Sequence, residues 1–395
     1  MSISLGLVGL GSFGSAFAEL FHAHPLVGRV ALCDREPDRI ARFADRPSWG
    51  AKLDRAACST QFDDLLASDL DALIVITQPW LHAPQCLAAL EHGKHVYSAV
   101  PITSIPDADE ILDWCDRLVR AVERTGLHYM LGETTIYRPI TMYCKRRAAE
   151  GAFGDFVFAE GHYYHPFDSR GCDLREVERL RTASTIGQEW PQILDTYRQR
   201  GIVGGPMTYP THSTSGPIHV MGGVPAQRVS CFGNGPFTDD GYFPRTNQGF
   251  SNETALFQMA NGCTMRICEH REIVNDDDEG FRLYGTEGSF EHDAWLTKDG
   301  RTALTVDDMR DPLPDDVAAA FRAASGESFY GGHGGSHAYL VHEFVDAIAH
   351  DRLPTIHIWE AVRYMAAGAV AHQSALRDGE TLEVPDWGDP PALAN

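Results

Sequence analysis

The chain has 395 residues, a formal net charge of −22 and 43% hydrophobic side chains. That length predicts two domains around a sizeable core. The acidity, with no basic cluster, excludes nucleic acid and anionic membrane as expected partners; no apolar run reaches the ~18 residues of a membrane span.

The order of elements starts with an apolar strand, Leu5 to Val8, running into Gly9-Leu10-Gly11-Ser12-Phe13-Gly14. A helical pattern follows, and a second strand, Val30 to Cys33, ends at Asp34. This strand–turn–helix–strand context makes G-x-G-x-x-G a dinucleotide fingerprint. Gly9 permits the tight turn, Gly11 the approach of backbone N–H groups to a pyrophosphate, and Gly14 close helix–strand packing. The helix start carrying Ser12 and Phe13 supplies unpaired donors for phosphate. Asp34 can accept from an adenosine ribose and repels a 2′-phosphate, so NAD is expected over NADP. Arg35 partly offsets that repulsion.

Further strands follow at Ala72–Ile76, His95–Ser98 and His128–Leu131, with helices between them. The alternation predicts a doubly wound parallel sheet over 1–131. From 132 to 395 the pattern changes. Strands at 156–164, 226–232, 253–259, 264–271, 280–284 and 288–292 come in runs, and Asn261-Gly262 is a hairpin signal. The expected fold class is α/β: an N-terminal Rossmann domain, then an α+β domain with a large, mainly antiparallel open sheet. Two helices, at 336–350 and 358–376, are expected near the end. The run 275–279 and the segment 307–316 read as solvated acidic connections.

The nine cysteines, including Cys172, are scattered and contain no C-x-x-C. Neither a disulfide framework nor a thiolate zinc site is expected. The sequence runs directly into its first strand, without a signal-peptide pattern. A cytoplasmic protein is expected.

At Gly9 to Gly14, Asp34, Thr77-Gln78-Pro79 with His82, and Gly93-Lys94-His95-Val96, the chain resembles the Gfo/Idh/MocA family of oxidoreductases. The resemblance implies a bound nicotinamide cofactor and an open sheet used for oligomerisation, here a homodimer or homotetramer. The family's dehydrogenases carry Glu-Lys-Pro where this chain has Ala99-Val100-Pro101. Valine has no proton to transfer. The segment Tyr209-Pro210-Thr211-His212 and the stretch Gly332-His333-Gly334-Gly335 resemble NAD-dependent glycoside hydrolases of the α-N-acetylgalactosaminidase type. These oxidise a sugar hydroxyl, eliminate or add across the acidified C–H, and return the hydride.

Hydride transfer from a secondary alcohol needs a base for the hydroxyl proton, and histidine suits that role near neutral pH. His212 is the candidate base, with Tyr209 orienting it or binding a sugar hydroxyl. Expected cofactor contacts are Gly9, Gly11, Ser12, Phe13, Gly14, Asp34, Arg35, Thr77, Gln78, Pro79, His82, Val100, Pro101 and Glu133. Alternation sends His162 and Tyr164 to one face of a strand, Tyr163 and His165 to the other. The first pair, with Arg138, Thr211 and His333, are the candidate substrate contacts. No catalytic metal is expected. The leading expectation is an NAD-dependent oxidoreductase acting on a sugar, cyclitol or glycoside. The alternatives are an NAD-recycling glycosidase and a non-catalytic nucleotide-binding protein. Glu133 as a ribose or substrate contact rests only on its place after a strand end.

Overall fold

The computed structural model describes residues 2–168, 173–276 and 278–391. Cys172 and Asp277 lie outside the described residues.

The first sheet has the order β2-β1-β3-β4-β5. Its strands are β1 (Ile3–Val8), β2 (Val27–Cys33), β3 (Ala72–Val75), β4 (His95–Ser98) and β5 (Tyr129–Leu131). Every pairing is parallel. β3 is buried along its whole length, as a parallel strand covered by helices on both faces must be. The order reverses beside β1, so a crevice opens at the carboxyl ends of β1 and β3. The helix Ser12–Ala23 starts there with no side-chain cap. Its first N–H groups are therefore left for a ligand.

The second sheet runs β13-β12-β11-β10-β6-β9-β8-β7-β14. Its central strands are β6 (Phe156–Tyr164), β7 (Ala226–Asn234), β8 (Asn252–Met259), β9 (Thr264–His270) and β10 (Asp278–Gly285). β11 (Gly288–Glu291), β12 (Ala294–Thr297) and β13 (Gly300–Ala303) extend one edge, and β14 (Leu382–Glu383) closes the other. Only β6–β9 is parallel; the other pairs are antiparallel. The Asn261-Gly262 turn joins β8 to β9, with Gly262 at φ +86°. One sheet face is covered by the helices Thr211–Val220 and Ile358–Ala375. The other face leaves Phe232 and Leu256 exposed.

The helix His337–Ala349 returns to the first domain, where Phe344 meets Phe21 and Tyr97. The helix Asp315–Ser325 also packs on Ser12–Ala23. The chain from 132 onward thus builds part of the outer layer of the Rossmann sheet. Between β6 and β7 lie two helices absent from the sequence-based expectation, Leu174–Thr182 and Trp190–Gln199. They form a strap across the crevice. Arg35 Nη1 lies 2.8 Å from Glu189 Oε1. Thr185 N donates to Glu36 Oε1 at 2.9 Å. Gln78 Nε2 donates to Arg181 O and Ser184 Oγ, each at 3.2 Å. Trp80 and Trp190 stack with centroids 4.5 Å apart.

Candidate active site

The strap, the Rossmann edge and the covered face of the large sheet enclose a cleft of about 1010 Å³. Its nucleotide end fits a dinucleotide. Gly9 has φ +89°, and a Cβ there would meet Ile76 O at 2.1 Å. A Cβ on Gly14 would meet Gly9 O at 2.0 Å. Gly11 faces open space, with its nearest neighbour, Arg39 Nη1, at 3.8 Å from the Cβ position. Only glycine at the first two positions lets the turn and the helix approach so closely. Ser12 and Phe13 line the same end. Asp34 accepts from Leu10 N at 2.7 Å and from Glu36 N at 2.9 Å, and so sits at the end of β2 with its carboxylate fixed. Arg39 lies 3.4 Å from it and Arg35 is turned to Glu189. Both nearby cations are thus already paired, which favours a ribose hydroxyl over a 2′-phosphate.

Thr77, Gln78, Pro79, His82 and Val100 also line the cleft, whereas Pro101 does not. His82 is buried between Pro101 O (2.8 Å) and Thr77 O (3.2 Å). Burial pushes its imidazole down to about 4. It ties two cofactor-side loops together. Tyr209 OH donates weakly to Val100 O at 3.5 Å, and its ring lies 5.5 Å from that of His212. No lysine is among the described residues that line the cleft.

His212 is the second residue of Thr211–Val220, a helix buried at every position. Its Nδ1 lies 2.9 Å from Glu133 Oε1 and 3.9 Å from Glu279 Oε1. That leaves Nε2 as the nitrogen turned to the cleft. Thr135 N and Oγ1 donate to Glu133 Oε1 at 3.0 and 2.9 Å. Arg138 Nη2 donates to Glu279 Oε2 at 2.5 Å. Burial works against the His212 imidazolium, but the Glu133 and Glu279 carboxylates outweigh it and hold the ring up at about 9. The sequence-based expectation of a base near neutrality is therefore corrected upward. Burial also opposes the Glu133 carboxylate, and His212 outweighs it, holding it down at about 2. Glu133 is fully buried behind His212 and does not line the cleft. It fixes the His212 ring and is no cofactor contact in this geometry. Thr211 is likewise buried and outside the lining.

The choice between strand faces is also corrected. Tyr163 and His165 line the cleft; His162 and Tyr164 do not. Tyr163 lies edge-on to His212 with centroids 5.0 Å apart, and its OH is 2.5 Å from His165 Nδ1. On the open face His162 stacks on Tyr164, and Tyr164 on His270. Parity had a readable signal: a Cβ on Gly161 would sit 1.9 Å from Ser213 O. A glycine there marks the face that the buried helix approaches, and Tyr163 and His165 share it. Arg271 and Glu269 were missed too. Arg271 Nη2 donates to Glu269 Oε2 at 2.6 Å, with its guanidinium 4.9 Å from the Tyr163 ring centroid.

His333 lines the cleft from above the nucleotide loop, its ring 5.7 Å from that of Phe13. Gly332 N donates to His337 Nδ1 at 3.3 Å. His337 Nε2 then carries the proton and donates to His333 Nδ1 at 3.0 Å. This fixes the His333 proton on Nε2 and presents a donor to the cleft. Burial pushes His333 down to about 4, so the ring is neutral. His333 and His337 have H-x-x-x-H spacing, which the metal expectation passed over, but their facing nitrogens are spent on each other. Glu133, His212 and Glu279 do bring ligand atoms within 4.8 Å of one another. Arg138 already neutralises Glu279, and the His212 nitrogen in that group is the one hydrogen-bonded to Glu133.

Residues 3–132 match the family model described as "Oxidoreductase family, NAD-binding Rossmann fold". A glycosyl hydrolase family 109 protein of Streptomyces niveus is 26% identical over 98% of this chain and 77% of its own length. Glycosyl hydrolase family 109 protein 1 of Bacteroides fragilis is 33% identical over 65% of this chain and 55% of its own. The solved structure of levoglucosan dehydrogenase in complex with NADH and levoglucosan superposes with a TM-score of 0.71, covering 98% of this chain and all (100%) of that one, at 18% identity. That last likeness shows the fold. Residues 3–132 thus carry the NAD-binding Rossmann domain of that oxidoreductase family, and the chain is an NAD-dependent enzyme similar over nearly its whole length to glycosyl hydrolase family 109 proteins.

Proposed function

We propose that the enzyme oxidises a secondary hydroxyl of a sugar, cyclitol or glycoside, with His212 taking the hydroxyl proton. The observation that carries this reading is the His212–Glu133 pair, buried, with Nε2 facing the cofactor cleft. NAD, when bound, supplies the hydride acceptor. Glu133 holds the ring orientation and stabilises the imidazolium formed when the proton arrives. His333 Nε2–H is a donor for a second hydroxyl or carbonyl oxygen, and Tyr163 and Tyr209 flank the base. Val100 leaves proton transfer to this histidine. The names of the relatives, glycosyl hydrolase family 109 and levoglucosan dehydrogenase, support a carbohydrate substrate.

A second reading is redox-neutral glycoside cleavage that begins with the same oxidation and returns the hydride. The strap favours it. Its contacts from Glu189, Thr185 and Trp190 to the nucleotide side oppose cofactor exchange at each turnover. Purified enzyme incubated with a panel of sugars and glycosides, with NADH and free aglycone followed together, separates the two. Net oxidation accumulates NADH; redox-neutral cleavage releases aglycone at constant NAD. Neither signal from any substrate would sink both.

We also infer a cytoplasmic enzyme assembled through the open sheet face. The described cysteines are free thiols, as a reducing compartment requires. Phe232 and Leu256 are 63% and 52% exposed on that face. Among the described residues no helix is long and apolar enough to cross a membrane.

A further inference from the structure

The loop from Gly331 to Gly335 has two sides. His333 faces the cofactor cleft. The other side closes a second cavity of about 550 Å³, with an apolar floor that includes Ile140 and Met309. Two guanidiniums line its wall, Arg138 and Arg310. The chain has 55 acidic residues against 33 basic ones, so carboxylates are in excess. Even so, among the described residues no carboxylate forms an ion pair with Arg310; neighbouring Asp311 is paired with Arg146.

Arg310 is nonetheless held in place. Its guanidinium lies 4.3 Å from the Tyr330 ring centroid, and Tyr330 stacks on Tyr339. Nη2 donates to Gly334 O at 3.0 Å. Gly335, at φ +90°, makes room: a Cβ there would lie 3.0 Å from that nitrogen. The Nε atoms of Arg310 and Arg138 are both buried without a protein acceptor. Asp293 is the acidic side chain in the lining and is exposed. A fixed, half-buried guanidinium without a counter-charge, beside a second one already paired with Glu279, is a costly arrangement unless an anion completes it. Arg138 lines both cavities, so a ligand extending from the His212 cleft to Arg310 passes over it.

We infer that this cavity takes an oxyanion, a carboxylate or a sulfate or phosphate ester, carried by the unit of the substrate beyond the reacting ring. The inference rests on the carbohydrate reading of the cleft and names the class of carbohydrate, an acidic one.

The test is calorimetric titration of the NAD-loaded enzyme with matched pairs, lactobionate against lactitol and maltobionate against maltitol. Each pair differs by a carboxylate in place of a primary alcohol on the second unit. Wild type should bind the acid of at least one pair about 10- to 100-fold more tightly, the range of a charge-assisted hydrogen bond. Arg310→Gln should erase that advantage and leave the alcohols and NAD bound as before. Arg310→Lys keeps the charge, should retain part of the advantage, and serves if the glutamine variant does not fold. Equal binding of acid and alcohol, no binding of either acid, or an advantage that survives Arg310→Gln would overturn the inference. So would Arg310-dependent binding of inorganic sulfate with no advantage for the sugar acids, which assigns the cavity to a free anion. Because the readout is binding, a failure here is separate from a failure of the oxidation reading, which is scored by NADH and aglycone.

Discussion

His212 Nδ1 lies 2.9 Å from Glu133 Oε1, and both side chains are withdrawn from solvent. The pair fixes which imidazole nitrogen meets the substrate and sets the proton affinity of that nitrogen. A folded-state value of about 9 for His212 means that the ring is protonated at neutral pH and must lose a proton before it can act as a base. kcat/KM for the oxidation half-reaction should therefore rise with pH through about 9. Glu133→Gln removes the largest raising influence, so the limb should move down by about 1–3 pH units. A limb that stays put in Glu133→Gln would detach the pair from catalysis. The same raised value works on stability: its contribution is complete below the ordinary histidine range and is lost as pH rises through about 9.

The cofactor preference rests on Asp34. Asp34→Ala should narrow or reverse the preference for NAD over NADP in direct titrations. Arg39 loses its carboxylate partner in that variant and becomes available to a 2′-phosphate, while Arg35 stays paired with Glu189. A wild type that favours NADP would show that the arginines already dominate.

Val100 marks the departure from the lysine-bearing dehydrogenases. Val100→Lys should bring no gain in turnover, because His212 supplies the base and the position is buried. Isolating a charge there costs several kcal/mol unless it is paired. A marked gain in NAD reduction by Val100→Lys would show that a lysine was wanted at this place after all.

Much of this was legible in the chain. The fingerprint was readable because Gly9, Gly14 and Asp34 each answer a local steric or charge demand. The parallel and antiparallel halves were readable from the spacing of strands and helices. The strap was not: its two helices are polar on average, and the helix Leu174–Thr182 has no fully buried residue to mark it. The partner of His212 was not readable either. Glu133 and Glu279 come to it from 79 residues before and from β10, and only tertiary packing brings them together. The face carrying Tyr163 and His165 depended on one glycine, Gly161, whose meaning appears once the helix above it is in place.

The strap gives a kinetic prediction. Trp190→Ala removes the stack on Trp80 and should speed NAD release by about 2- to 10-fold, on the scale of a lost aromatic contact. Stopped-flow displacement of bound NADH measures this. Unchanged release would mean that the strap does not hold the cofactor.

A chelator provides a further check. Prolonged treatment with EDTA followed by desalting should leave turnover unchanged, because Arg138 and the His212–Glu133 hydrogen bond occupy the groups that an ion would use. Loss of activity restored by a divalent cation would assign Glu133, His212 and Glu279 to a metal.

The central claim is that His212 takes the hydroxyl proton. Its most direct test is single-turnover reduction of bound NAD by His212→Asn, followed at the NADH absorbance across pH. Wild type should show the alkaline limb. The variant should bind NAD as well as wild type, lose the limb, and reduce NAD about 10²–10⁴-fold more slowly, the usual contribution of a positioned general base. Near-wild-type reduction by His212→Asn with the limb intact would contradict the account and place the base elsewhere in the cleft.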